Sequence, residues 1–599
     1  MSYFSNGVIC LEKWFLRNVK GDLDEISRKL NISKVLSKLL LNRGIMDIRL
    51  MDSFINPTLD KFHNPRLMKD MELGVNILKD SILNNEKIRI CGDYDQDGNS
   101  SILTLYKGIS RCGGNVDYVI PHRVTDGYGI NERIVNEAKQ DGVDLIITCD
   151  NGVSAFDAVK LAKELGMKIV VTDHHEVSYS VDEHGNKEYK LPEGDAVINP
   201  KRPDCKYPFK ELCGAGVAFK VVQVLYEEMG IDVKESYELL EFVAMGTVCD
   251  VVDLVDENRI IVKEGLKRIN STTNKGLKAL IKVTGLEGKT INPYTLGFVI
   301  GPSINASGRL DCADVAVELL LTEDEDLAYE YAERLHSLNE ERKHMTEKGI
   351  RKVVEQIELS GFKDHKVFVI YEEDIHESVA GIVAGRVKDM YYRPTIILTN
   401  SKNEDEIKGS ARSIEEYDIF EGISKCRDLL NRFGGHSMAA GLSLNRENIE
   451  ELRSRLNGQA NLSEEDLIPK IYLDMRLPLE YITFGLIEEL KLLEPFGKGN
   501  PKPLFGEKDI PVMRAYKIGK NQNTLKLILK MRNGKTIEGL YFGDVDEFDR
   551  VMTEKYGNEE VIKMYKGIDN NIKVDIAYTP SINEYMGNKS IQIIINNYR

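Results

Sequence analysis

The sequence is 599 residues long, too long for a single core and enough for three or four domains. With 42% hydrophobic and 29% charged residues it is a globular chain, and a formal net charge of −16 argues against a broadly basic, nucleic-acid-coated surface. No run approaches the roughly 20 apolar residues of a membrane span, the first residues lack a signal peptide's basic start, and nine cysteines show no paired spacing. A cytoplasmic protein with reduced thiols is expected.

In chain order, residues 1–70 carry helical patterns at 23–30 and 35–43 and then a proline-marked linker around Pro57. A helix from about 73 leads into Ile88-Arg89-Ile90-Cys91-Gly92, a β-branched run that ends in Asp93, Asp95 and Asp97. A helix is predicted over 100–109, with its N-terminus toward those carboxylates. Tyr118-Val119-Ile120 reads as the next strand, and Gly127-Tyr128-Gly129 as the opening of another helix.

Two further strand-like runs end the same way. Leu145-Ile146-Ile147-Thr148-Cys149 enters Asp150-Asn151-Gly152, and Ile169-Val170-Val171-Thr172 enters Asp173-His174-His175. Alternating strand and helix patterns predict a parallel sheet, whose carboxyl ends share one edge. Asp250 is a fourth candidate, where the helical pattern of 245–249 ends. Carboxylates with an imidazole at one edge suit two manganese or magnesium ions better than a structural zinc.

Residues 178–194 read as a polar surface insertion, 196–200 as a strand and 213–220 as the start of a closely packed apolar helix. Residues 297–311 read as a Gly-rich polar loop whose Asn305, Ser307 and Arg309 suit phosphate oxygens. Thr322-Glu323-Asp324-Glu325 has the form of a capping box. The charged helical pattern behind it, to about 359, reads as a bridge between domains rather than as core.

A second α/β domain follows, with strands at 366–371 and 394–398 around a helix at 378–388. Ser410 and Arg412 offer a hydroxyl and a guanidinium; His436 is expected on a Gly-Gly turn ahead of a helix starting at 438. From about 468, short alternating strands suggest a small β-barrel. Within it, residues 514–535 hold seven lysines and arginines and no acid, a candidate phosphate-binding face with Tyr516 and Tyr541 as stacking partners.

On these residues the chain resembles the RecJ family of the DHH phosphoesterase superfamily, single-strand-specific 5′-to-3′ DNA exonucleases. Asp93-Tyr94-Asp95-Gln96-Asp97-Gly98, Cys149-Asp150-Asn151-Gly152, Asp173-His174-His175 and Gly246-Thr247-Val248-Cys249-Asp250 look like the superfamily motifs. More specific to the family are Gly214-Ala215-Gly216-Val217-Ala218-Phe219-Lys220, Asn305-Ala306-Ser307-Gly308-Arg309-Leu310, Gly434-Gly435-His436 and Leu493-Glu494-Pro495-Phe496-Gly497.

The resemblance implies an α/β architecture: an N-terminal helical segment (1–70), a parallel-sheet DHH domain (71–325), a connecting helix (326–360), a DHHA1 domain (361–467) and an OB-like barrel (468–599). It implies two Mn2+ or Mg2+ ions held by Asp95, Asp97, Asp150, His174 and Asp250, with Asp150 as the bridge and either Asp93 or Cys91 completing the first site. His175 would contact the scissile phosphate, completing the catalytic set. Arg123, Arg309, Ser410 and Arg412 are similar to residues that bind the DNA 5′ end, His436 is similar to one that contacts the strand, and Asn305 and Ser307 belong with them. The implied partners are single-stranded DNA, single-strand-binding protein and a helicase, with no membrane and a monomeric enzyme. Relatives that degrade only short oligonucleotides usually stop after the second domain, so the barrel pattern disfavours that reading.

Overall fold

The computed structural model describes residues 12–123, 126–182, 186–401, 406–585 and 587–599. The chain divides into two compact units: residues up to Asn56 with Glu464–Phe496 and Asn500–Arg599, and Pro57–Ser463 with Gly497–Gly499.

The larger unit is built on a five-stranded parallel sheet. Its order is Asn115–Val119, Lys87–Cys91, Leu145–Cys149, Lys168–Thr172 and Ala196–Ile198. Side chains alternate between two cores, as a strand period of two requires. Ile88, Ile90, Leu145 and Ile147 pack with the helices Met71–Leu83, Gln96–Arg111 and Gly214–Glu228, whereas Cys91, Ile146 and Ile169 pack with Glu132–Gln140 and Phe156–Glu164. The chain leaves the Lys87–Cys91 strand for a neighbour on one side and returns on the other. Such a reversal opens a crevice at the strands' carboxyl ends.

Several local expectations give way to tertiary packing. The helix expected from residue 100 starts at Gln96, capped by Asp95, whose Oδ1 accepts the N–H groups of Asp97 (2.9 Å) and Gly98 (3.1 Å). Asp97 therefore stands on a helix rather than in the loop. The helix expected to open at Gly127 begins at Glu132, capped by Asn131. Residues 297–311 are not a loop: a π-helical turn, Leu296–Ile300, runs into the helix Gly301–Leu310, because Pro302 is tolerated in a first turn and Ile304 and Ala306 are buried. The polar insertion is an exposed hairpin, Tyr179–Val181 with Lys187–Tyr189.

The long helix Glu325–Leu359 runs for roughly 50 Å. Its cap is Asp324, which accepts from Asp326 and Leu327, and not the expected Thr322 box. It bridges two cores and belongs to both: Ala328, Ala332 and Leu335 enter the first, Val353 and Ile357 the second. The second core lies under a mixed sheet ordered Leu430–His436, Ala439–Leu444, Ile407–Arg412, Thr395–Asn400 and Phe368–Tyr371. The helix expected from 438 is thus a strand, and the Gly-Gly-His stretch ends a strand rather than forming a turn. Pairing with residues 407–412 and 430–436 overrides the local small-residue pattern.

In the smaller unit, Phe505–Ile518, Thr524–Lys530, Thr536–Tyr541, Asn588–Tyr598 and Lys573–Tyr585 pair in a closed ring, an OB-like barrel. The first described strand, Lys13–Leu16, pairs in parallel with Lys470–Leu473, and Leu23–Leu30, Lys34–Asn42 and Ile48–Ile55 are helices of the same unit. No helix among the described residues is long and apolar enough to cross a membrane.

Candidate active site

Five carboxylates and two imidazoles meet at the carboxyl edge of the parallel sheet. His174 Nε2 lies 3.0 Å from Asp150 Oδ1 and 3.8 Å from both Asp97 Oδ2 and Asp250 Oδ2. Ligand atoms of Asp97, His174 and Asp250 lie within 4.8 Å of one another, as do those of Asp93, Asp95 and Asp150; Asp150 also groups with His174 and His175. Asp150 and His174 thereby link the sets.

Each group is held by backbone. The amides of Gly214 and Ala215, at the start of the Gly214–Glu228 helix, donate to Asp97 Oδ2 (2.6 Å) and Oδ1 (3.0 Å). A helix N-terminus suits an anion in this way. Gly214 must lack a side chain, since a Cβ there would lie 2.5 Å from Asp150 Cβ. Asp150 itself has φ 61°, in the left-handed region that a residue with a side chain occupies at a cost. Asn151 pins the strand ends by donating to the carbonyls of Cys91 (3.1 Å) and Cys149 (2.8 Å).

The electrostatics call for cations. Asp93, Asp97, Asp150 and His174 are all over 90% buried, and Asp93 Oδ1 and both His174 ring nitrogens lack hydrogen-bond partners. Burial, then the neighbouring Asp95, pushes Asp93 up to about 8. Burial, then Asp97 and Asp95, does the same to Asp250, also to about 8. Asp97 and Asp150 are raised, again chiefly by burial. Burial holds His174 near 4, so its neutral imidazole is available as a ligand. An oxygen-rich set with one imidazole, crowded and unpaired, fits two divalent cations such as Mn2+ or Mg2+. Cys91 does not join it: its thiol is fully buried in the apolar core on one sheet face and pushed up to about 12.

His175 differs. Burial lowers its pKa, but the hydrogen bond from its Nδ1 to Asp173 Oδ1 (2.8 Å) and the surrounding charges outweigh that and raise it to about 9. Asp173 also accepts from the amides of His174 (2.7 Å), His175 (3.1 Å) and Val153 (2.9 Å). Burial opposes its charge, yet these bonds hold it near 2. Asp173 therefore orients His175 and keeps it cationic, a role that the candidate residues above omit although Asp173 stands beside them in the sequence.

Next to the carboxylates a cavity of about 490 Å3 opens toward the second sheet, lined among others by Tyr94, Arg123, Tyr128, Ser410, Arg432 and Phe433. Arg123 stacks 4.7 Å over the Tyr94 ring, and Tyr128 Oη donates to the Asp150 carbonyl at 2.5 Å. Arg309 donates to the Ser378 carbonyl (2.7 Å), and burial, with Arg123 and Arg342 nearby, lowers its pKa to about 10. Arg412 is lowered by burial and by Arg123. Three guanidiniums so close together suit an anion between them.

Not every candidate arrives there. Ser307 is buried and donates to the Ile304 carbonyl of its own helix, the consequence of a helix where a loop was expected. His436 is exposed and accepts from the Met438 amide, without lining the cavity. Asn305 is half-buried with Oδ1 unpartnered. Tyr94, Tyr128 and Arg432 line the cavity without having been singled out in the sequence, since single aromatics and arginines carry no periodic signal.

In the barrel, the basic run has acidic partners from outside its window. Lys517 pairs with Asp549 (2.8 Å), Lys526 with Glu538 (2.7 Å) and Arg532 with Glu507 (3.3 Å). Tyr516 is exposed under Arg514, but Tyr541 packs edge-on against Tyr598 and is not a free stacking surface.

Comparison with known proteins decides the family. Residues 87–247 match the DHH family N-terminal domain, 364–461 the DHHA1 domain and 473–597 the RecJ OB domain. The chain is 36% identical over 587 residues to the single-stranded-DNA-specific exonuclease RecJ of Bacillus subtilis, covering 97% of this chain and 70% of that protein. It is 35% identical to the protein of the same name from Haemophilus influenzae, covering 94% of this chain and 95% of that one. The chain belongs to the RecJ family. A crystal structure of RecJ in complex with Mn2+ from Thermus thermophilus superposes with a TM-score of 0.80 at 27% identity, over 98% of this chain and 79% of that one. The family's parallel-sheet, DHHA1 and OB parts are thus all present, and the acidic centre described above lies within or just after its first domain.

Proposed function

We propose that this protein is a metal-dependent, single-strand-specific 5′-to-3′ DNA exonuclease that releases 5′-mononucleotides. The observation that carries this reading is the convergence of buried Asp97, Asp150 and His174 with half-buried Asp250 beside an arginine-lined cavity. Asp95, Asp97, Asp150, His174 and Asp250, with Asp93, would hold two Mn2+ or Mg2+ ions, and Asp150, which groups both with Asp93 and Asp95 and with His174, would be the shared ligand. When bound, such ions activate water and stabilise the oxygens entering and leaving phosphorus.

The chain's own groups do the rest. Arg123, Arg309, Ser410 and Arg412 bind the terminal phosphate and set the polarity, His175 contacts the scissile phosphate, and Asp173 keeps it cationic. Asn305 faces the strand, as does His436 from its exposed strand end. The proposed division is 71–325 for chemistry, 326–360 as connecting helix, 361–467 for strand positioning and 468–599 for strand binding. We further propose action in the cytoplasm as a monomer, in repair and recombination, alongside a helicase and single-strand-binding protein.

The test compares a long single strand, the same sequence as duplex and a dinucleotide, with Mn2+ and with Asp150→Ala. Rapid loss of the long single strand alone, abolished by the substitution, is the expected outcome. Hydrolysis of the dinucleotide with the long strand left intact would replace this reading with an oligonucleotide phosphodiesterase.

A further inference from the structure

The cavity beside the acidic centre has an end that the cleavage reading leaves unused. Its floor is one face of the second sheet, where Lys408, Ser443 and Arg432 form one cross-strand row and Ser410, Gly441 and Gly434 the next. Neither Gly434 nor Gly441 has a positive φ, and a Cβ at either would meet nothing within 4 Å. The fold does not demand glycine there, so the bare strip serves as a flat floor for something else.

Two buried polar groups beside that floor lack partners. Glu377 opens the helix Glu377–Tyr391; its Oε2 binds the Lys408 ammonium at 2.8 Å, while Oε1 is buried and makes no hydrogen bond. Ser443 is 6% exposed, and its Oγ is likewise unpartnered. Both line the cavity. Buried acceptors left unpaired are costly, and a site tolerates them where a ligand completes the bonds.

The two groups differ in what they accept. A carboxylate oxygen only accepts, whereas a serine hydroxyl accepts or donates. The exocyclic amino groups of cytosine, adenine and guanine are donors. Thymine has no amino group, and its single imino N–H is flanked by two carbonyl oxygens that a carboxylate repels.

We propose that the Glu377–Ser443 end of the cavity reads the edge of one base of the bound single strand and favours cytosine, adenine and guanine over thymine. The proposal rests on the strand-binding reading above and deepens it from strand to base.

The test uses cytosine and thymine homopolymers of equal length, both weakly stacked pyrimidines, with the full-length protein and Mn2+. The cytosine strand is expected to be cut about five- to tenfold faster, and Glu377→Gln, whose amide can donate as well as accept, narrows the ratio to less than about twofold. Ser443→Ala narrows it in the same direction. Dissociation constants for both strands with the Asp150→Asn variant give the same ratio without cleavage. Equal rates and equal affinities in the unsubstituted site overturn the proposal, as does a preference unchanged in both Glu377→Gln and Ser443→Ala. Preferential binding of cytosine strands without any cutting would refute the nuclease reading and still support base reading; no binding of either strand overturns both.

Discussion

The backbone amide of Gly214 donates a 2.6 Å hydrogen bond to Asp97 Oδ2 across 117 positions of sequence. This contact fixes a carboxylate on one helix with the N-terminus of another, and it forces the Gly214 Cα against Asp150. Gly214→Ala is expected to push Asp150 out of place and weaken Mn2+ binding about 10- to 100-fold, the scale of lost ligand support. Calorimetric titration measures it; unchanged affinity would show that the close approach is incidental.

Metal removal should make stability depend on pH in a definite direction. Asp93 and Asp250 are raised to about 8 in the folded chain, far above an aspartate's ordinary value of about 4. A raised folded pKa favours the protonated group, so this contribution is complete below about 4 and is lost as pH rises through about 8. With chelator present, these two groups should therefore lower the melting temperature progressively between about pH 4 and 8, and Mn2+ should restore it at the upper end. Binding Mn2+ at neutral pH should also release protons, read from calorimetry in buffers of different ionisation enthalpy. Asp250→Asn should flatten the pH dependence.

Asp173→Asn separates orientation from ligation. Loss of the charge beside His175 should lower the imidazole from about 9 toward or below its ordinary value, seen by NMR of ring-labelled histidine in the metal-free protein. Turnover should fall about 100-fold or more, on the scale of removing the group that orients a catalytic histidine. Mn2+ affinity should change far less. A comparable loss of metal affinity would instead make Asp173 part of the metal site's framework.

On the barrel, Lys530 and Lys526 should differ although they are neighbours on one strand. Lys526 is paired with Glu538, whereas no ion pair forms at Lys530 among the described residues. Lys530→Ala should weaken single-strand binding and reduce the salt slope by about 0.7. Lys526→Ala, which frees Glu538, should weaken binding with a smaller change in slope. Identical salt slopes for the two variants and the parent would remove this face from the binding surface.

The carboxylate edge was legible because three strands each end in an acidic turn, a pattern that local periodicity and parallel-sheet topology suffice to place. Asp97 on a helix was less so, since Asp95 caps that helix before the apolar pattern becomes evident. The stretch around Asn305 and Ser307 has loop composition, but burial of Ile304 and Ala306 decides for helix. Residues 439–444 form a strand only through partners elsewhere in the chain, and the acids that neutralise Lys517, Lys526 and Arg532 lie outside the basic window. What failed was long-range pairing, which no local window contains.

The most direct test of the central claim is Mn2+-dependent hydrolysis of a long single-stranded DNA labelled at either its 5′ or its 3′ end. Immediate release of the 5′ label as a mononucleotide, with the 3′ label lost last and both retained in Asp150→Ala, is the expected result. Release of the 3′ label first, or cleavage that survives the Asp150 substitution, would contradict it.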